Sequence, residues 1–247
     1  MRPIGYGFGL SPRQRGGGFS PAALFAGGAQ GAWYDPADAA SMFQDSGGTV
    51  AAAVGSPVGM IRDKSGRGNH AVQATASARP ILRQDGGGRL YLEFDGADDR
   101  LVAAFALPQP FDRVSAVRQA AWTSGRVLFG NNGSDAGVLY QTSAAPRLYL
   151  FSGAATPFSA GLPVDVNGVV TERFDGAASR IAVNKAAFAV GNSGSAGVAG
   201  VSLGGRSAGT SGAQMRLYGM LMIGRALSDA ETGRLRAFMA ARAGVAL

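Results

Sequence analysis

YLEFDGADDRL, residues 91–101, reads as the end of one strand, a turn, and the start of the next. Leu90, Leu92 and Phe94 fall on one face of an extended chain and Tyr91, Glu93 and Asp95 on the other, because side chains alternate along a strand. Asp95 and Gly96 then supply turn chemistry: a carboxylate that bonds to nearby backbone, followed by a residue that tolerates positive φ. A near copy, FDGAASRIAV (174–183), repeats FDGADDRLVA (94–103) but lacks the acids at positions 178 and 179. The same tripeptide placed twice between apolar runs is a hairpin device, and it points to an all-β fold.

The rest of the chain agrees. Short apolar runs bounded by Gly, Asn and Asp predict strands over 58–62, 89–94, 100–105, 113–122, 126–130, 137–142, 147–151, 167–174, 179–184, 200–205 and 215–224. Glycine, 39 of 247 residues, is roughly twice its usual share and fits a chain of many tight turns. About ten strands suit two antiparallel sheets packed face to face, a jelly-roll sandwich. One helix closes the chain. Ser228 and Glu231 form a capping box, Leu235, Phe238, Met239 and Arg242 follow at helical spacing, and Gly244 is the stop.

Composition removes several function classes. There is no cysteine, so disulfides, thiolate catalysis and cysteine-based zinc sites are excluded. His70 is the only histidine, which rules out a multi-histidine metal site. The net charge of +7 comes almost wholly from scattered arginines, with Lys64 and Lys185 the only lysines. No basic helix or stacking motif accompanies them, so the charge reads as attraction to anionic polysaccharide, and no nucleic-acid partner is expected. No apolar run is long enough to span a membrane. The N-terminus lacks the apolar region of a secretory signal, which predicts synthesis and assembly in the cytoplasm.

Residues 1–31 are rich in Gly, Pro and Ala and hold no acid. They read as an extended arm separate from a sandwich over 32–247. Tyr6, Phe8, Phe19 and Phe25 would anchor the arm to a partner protein, and Arg2, Arg13 and Arg15 would meet its acidic surface. Deleting the arm is then expected to leave a folded domain.

The acids of 93–99 have a catalytic reading. Glu93, Asp95 and Asp98 approximate the E-x-D-x-x-E pattern of sandwich glycosidases, whose retaining pairs stand about 5–5.5 Å apart. Asp98, however, is one carbon shorter than the required Glu and falls in a turn. The turn reading is favoured, with no catalytic residue assigned and Asp98 and Asp99 left as surface ligands for sugar or calcium. The second polar stretch, RDKSGRGNHAVQ (62–73), matches neither an EF-hand nor a P-loop, and no G-x-S-x-G elbow supports a triad through His70.

The ordered set GAWYDPADAASMFQD, VGMIRDKSGRGNHAVQ, LYLEFDGADDRL, VVTERFDGAASRIAVN and the terminal ALSDAE helix resembles the concanavalin A-like lectin/laminin-G-like jelly rolls of phage tail fibres, prophage structural proteins and gene transfer agent spikes. The resemblance implies a non-enzymatic virion-surface protein that binds host polysaccharide, plugs into the particle by its arm and forms a homo-oligomer there. Tyr91, Glu93, Asp98, Asp99, Asn69 and His70 are the candidate carbohydrate contacts. No cofactor is expected, since calcium lacks a full ligand set. A sandwich glycoside hydrolase or lyase, and a ligand-free decoration protein, are the alternatives.

Overall fold

The computed structural model describes residues 18–142, 144–154 and 158–247. In chain order the strands are β1 (Gly31–Tyr34), β2 (Met42–Phe43), β3 (Met60–Ile61), β4 (Ala71–Val72), β5 (Ile81–Gln84), β6 (Leu90–Asp95), β7 (Leu101–Leu107), β8 (Phe111–Gln119) and β9 (Val127–Gly130). There follow β10 (Val138–Gln141), β11 (Arg147–Phe151), β12 (Ser159–Gly161), β13 (Asn167–Phe174), β14 (Ser179–Val183), β15 (Ala189–Gly191), β16 (Val198–Leu203) and β17 (Gln214–Ile223). Helix α1 spans Asp229–Ala243. The strands form two antiparallel sheets. The eight-stranded sheet runs β15-β14-β13-β8-β17-β6-β5, with β1 also paired to β17; the nine-stranded sheet runs β12-β11-β10-β9-β16-β7-β4-β3-β2. The sandwich and its single C-terminal helix are as the sequence predicts. Strands β1, β2, β4, β5, β12 and β15 were not among the predicted runs, because two to four residues are too few to show a period.

The main core lies between the sheets. In β6 Leu92 and Phe94 point inward, and in β7 Leu101, Ala103, Phe105 and Leu107 do, as strict alternation requires. Strand β17 keeps its apolar face inward by changing phase. Met215 and Leu217 face the core, a bulge follows between Leu217 and Gly219, and Met220 and Met222 then face it. The core also holds an ion pair. Arg113 of β8 and Glu172 of β13 are cross-strand partners with fully buried side chains. The Arg113 Nε donates to both Glu172 oxygens at 3.1 Å, and its Nη1 donates to the Gly137 carbonyl at 2.9 Å. Phe129 and Phe174 cover the guanidinium at 4.8 and 5.5 Å.

A second apolar cluster lies outside the eight-stranded sheet. Leu235, Met239, Ala240 and Ala243 of α1 pack over Val114, Ala116, Val169 and Leu221. The helix starts as expected: the Ser228 hydroxyl accepts from the Glu231 amide, and the Glu231 carboxylate accepts from the Ser228 amide at 2.8 Å. Gly244 adopts the left-handed conformation that ends it.

Residues 18–31, the described part of the N-terminal segment, pack against the helix cluster. Pro21–Phe25 form a 3-10 turn whose Leu24 and Phe25 are buried in the helix cluster, and Phe19 meets Phe238 edge to face at 6.3 Å. Phe19 and Phe25 thus spend their apolar surface on this chain rather than on a partner. The other arm residues, Arg2, Tyr6, Phe8, Arg13 and Arg15, lie outside the described residues.

Candidate functional site

The acidic turn lies where β6 ends. Tyr91, Glu93 and Asp95 do share the outer face of the eight-stranded sheet, but they differ in access. Tyr91 is 5% exposed, packed 5.2 Å from the Tyr218 ring with the Arg216 guanidinium over it at 5.0 Å. It is covered and therefore unavailable as a sugar platform, which corrects its assignment as a contact. Glu93 accepts from Arg83 Nε at 2.8 Å and stands opposite Arg216 in the register.

Asp95 makes the turn. Its Oδ1 accepts from the Ala97 amide at 2.8 Å, and its own amide donates to Asp99 Oδ2 at 3.0 Å. The copy repeats this bond with other chemistry: the Asp175 amide donates to the Ser179 hydroxyl at 2.8 Å. Asp99 and Ser179 therefore close equivalent turns. Gly96 and Gly176 have φ of +80° and +53°, the conformation the hairpin reading requires of them.

Asp99 differs from Ser179 in being ionisable. It is 8% exposed, and its carboxyl is pushed up to about 6, first by burial and further by the charges of Asp95, Asp98 and Glu93, against the pull of the Asp95 amide. Asp98 is exposed. One oxygen from each of Asp95, Asp98 and Asp99 lies within 4.8 Å of the others. Three carboxylates fall short of the six to eight oxygens calcium takes, so the group is not a full ligand set. Beside the turn, Arg126, Thr123, Gln141 and Gln214 line a depression of about 130 Å³.

The stretch 62–73 is a folding knot. Asp63 is its centre: Oδ1 accepts from the amides of Trp33 at 2.9 Å and Ser65 at 2.8 Å, and Oδ2 accepts from the Ser65 hydroxyl at 2.7 Å and the Asn69 amide at 3.0 Å. Asn69 Nδ2 donates to the Gly31 carbonyl at 2.7 Å, and the Asn69 carbonyl accepts from the Tyr34 hydroxyl at 2.6 Å. His70 Nδ1 accepts from the Asp63 amide at 3.1 Å. These bonds pin the loop against β1 and leave the His70 ring exposed.

Two features were not singled out in the sequence. A cleft of about 710 Å³ is lined by Pro108, Gln109, Asp175, Ser195 and Gly197. Gln109 holds its walls together: Nε2 donates to the carbonyls of Gly194 at 3.0 Å and Ala196 at 2.8 Å, and Oε1 accepts from the Gly176 amide at 2.6 Å. A second depression, about 240 Å³, lies on the nine-stranded sheet between Val138, Tyr140, Phe151, Asp135 and Arg206. Its signal in the sequence is a hairpin apolar on both faces. GVLYQT and RLYLF carry Leu139, Leu148 and Leu150 inward and Val138, Tyr140, Tyr149 and Phe151 outward.

No family model and no curated protein matches the sequence. Among solved structures, the chain is similar to a Trypanosoma rangeli sialidase in complex with 2,3-difluorosialic acid, with TM-score 0.56 and 14% identity over 87% of this chain and 33% of that one. It is similar also to an arabinofuranosidase complexed with arabinofuranosyl-α-1,2-xylobiose, with TM-score 0.62 and 14% identity over 91% of this chain and 65% of that one. The chain thus spans about a third of the sialidase and under two thirds of the arabinofuranosidase. At such identities the likeness is one of fold: this is a two-sheet antiparallel β-sandwich of a kind found within glycosidase chains. The likeness corrects one expectation. The two solved structures named above are a sialidase and an arabinofuranosidase, both glycoside hydrolases, and the expectation of a non-enzymatic chain is withdrawn on that finding.

Proposed function

We propose that this chain is a carbohydrate-active β-sandwich directed at host cell-surface polysaccharide. The observation that carries the reading is Asp99: a carboxyl raised to about 6 beside Asp95 and Asp98, at the end of a strand in a sandwich shared with glycosidases. Glycosidases work with one carboxyl that keeps its proton and one that has lost it. Asp99 suits the first role, and Asp98, exposed with a carboxylate oxygen within 4.8 Å of it, is placed to be its partner. In cleavage, Asp99 would give its proton to the leaving glycosidic oxygen while Asp98 attacks the anomeric carbon or draws a proton from the attacking water.

The setting we propose is the surface of a phage-like particle assembled in the bacterial cytoplasm. What supports it is the resemblance of the ordered motif set to particle-borne jelly rolls, together with the Arg- and aromatic-bearing N-terminal stretch. In that setting the chain would meet capsule or lipopolysaccharide as repeated copies on one particle, where many weak contacts sum to firm attachment.

The test is incubation of the purified chain with capsular polysaccharides and lipopolysaccharide O-chains, followed by assay of new reducing ends. Chain shortening that is lost in Asp99→Asn supports cleavage at the turn. Shortening that persists in Asp99→Asn removes the turn as its site. Intact polysaccharides that also fail to bind the protein contradict the carbohydrate reading altogether.

A further inference from the structure

The nine-stranded sheet leaves part of its outer face uncovered. Helix α1 and residues 18–31 pack on the other sheet, and the outward residues Ala104 and Ala106 of β7 and Ala199 of β16 are exposed. On this face β10 and β11 place Val138 opposite Phe151 and Tyr140 opposite Tyr149. The two tyrosine rings meet edge to face at 6.0 Å. All three aromatic rings are only half-buried. Half-open rings grouped beside a depression suit the wall of a ligand site.

The rim supplies the polar half of a site. Arg206 and Asp135 form an ion pair at the edge of the aromatic depression, and both side chains stay open to solvent. The same pair borders a smaller hollow of about 90 Å³ lined by Asn131, Gly133, Ser134 and Ser207. Hydrogen bonds hold this hollow: Asn131 Nδ2 donates to the Ser134 hydroxyl at 2.7 Å, the Gly133 amide donates to the Ser207 hydroxyl at 3.0 Å, and Asn131 Oδ1 accepts from the Ala199 amide at 2.9 Å. An apolar wall of Val138, Tyr140 and Phe151 thus adjoins a charged pair that can donate and accept at once.

We infer that this double depression is a saccharide subsite that takes one neutral pyranose ring of a polysaccharide, stacked on Tyr140 and Phe151 with adjacent hydroxyls on Asp135 and Arg206. The chemistry follows from each part. The C–H face of a pyranose is apolar and flat, and an aromatic wall removes it from water. Vicinal hydroxyls each donate and accept, which matches a carboxylate beside a guanidinium. Because Arg206 is already neutralised by Asp135, the pair favours a neutral ring over a uronate. At about 240 Å³ the aromatic hollow is below the usual range for drug-sized ligands, about 300–1,000 Å³, and suits a single ring. The inference rests on the carbohydrate reading above but is independent of cleavage at the acidic turn.

The test is an NMR titration of the labelled full-length chain with methyl glycosides of glucose, galactose, mannose and N-acetylglucosamine, and with methyl glucuronide as the acidic control. Shifts centred on Val138, Tyr140 and Phe151 are expected with at least one neutral glycoside. Arg206→Gln and Tyr140→Ala should weaken that binding about tenfold or more, whereas Lys185→Gln, in an exposed turn after β14 of the other sheet, should leave it unchanged. Arg206 is a surface side chain, so its variant reports binding even if Tyr140→Ala folds poorly. Shifts confined to other regions, or a preference for the glucuronide, would overturn this subsite while leaving the carbohydrate reading intact. Failure of all five probes together with failure of the full chain to bind any polysaccharide would overturn both.

Discussion

Asp99 and Ser179 do the same work in two turns, and the difference between them is testable. Each accepts from the amide of the aspartate that opens its turn. Asp99 does so at a cost, since its carboxyl is raised from 3.8 to about 6, mainly by burial. A group with a raised folded value binds its proton more tightly in the folded chain. The contribution of Asp99 to stability is therefore full below about pH 4, is lost as the pH climbs to about 6, and does not return above it. Asn at this position keeps an acceptor for the Asp95 amide and has no charge to bury. Asp99→Asn should therefore be more stable than the parent by roughly 1–2 kcal/mol at pH 7.5, a figure discounted for solvent screening, and the gain should vanish near pH 4. Thermal midpoints of both proteins across that range check it; a constant difference would contradict the assignment.

The glycines of the two turns separate two kinds of strain. Gly96, at φ +80°, also lies so close to β17 that an added Cβ would stand 2.8 Å from the Gln214 amide nitrogen. Gly176 has positive φ but open space around it. Gly176→Val should cost about 1–3 kcal/mol from backbone strain alone, and Gly96→Val more, by paired denaturant melts. In the core, Glu172→Gln leaves the Arg113 charge buried without its partner and should cost about 3–5 kcal/mol in the same measurement.

At the level of elements, β17 shows what the sequence carries and what it hides. Its ten residues are apolar almost throughout, so the strand is plain but its phase is not. The bulge after Leu217 is fixed by pairing with β8, a partner nearly a hundred positions away, and no local pattern announces it. Gly219 follows at once, and a Cβ there would stand 3.2 Å from the Met239 sulfur of α1. Gly219→Ala should therefore push the helix outward and lower the thermal midpoint, whereas Gly233→Ala, in open space on α1 itself, should raise it slightly. Helix α1 was fully legible because capping box, stripe and stop are all local. The loop 62–73 was the reverse. Its Asn69 and His70 look like a binding cluster in the sequence, but their partners are Gly31, Tyr34 and Asp63, and only the fold brings these together. The hairpin β10–β11 was read as two ordinary strands because its outward aromatics look like core until the other sheet's covering is known.

For the whole molecule, the N-terminal boundary matters most. Sequence composition put it at residue 31, since glycine and proline break every period before Trp33. The structure buries Leu24 and Phe25 under α1 and bonds the Leu24 and Phe25 carbonyls to Arg225 and Arg67. A chain beginning at Gly18 keeps every described contact. One beginning at Ala32 loses two buried side chains worth about 3–5 kcal/mol together, and should melt lower or fail to fold.

The proposal of a carbohydrate ligand rests on the sandwich, its acidic turn and its aromatic outer face. Affinity electrophoresis of the full chain through gels cast with capsular polysaccharide or lipopolysaccharide O-chains tests that claim most directly. The account predicts that at least one polysaccharide retards the protein in proportion to its concentration, with Asp99→Asn retarded like the parent and Arg206→Gln much less. Equal mobility in every gel, with no shortening of any polysaccharide, would contradict it.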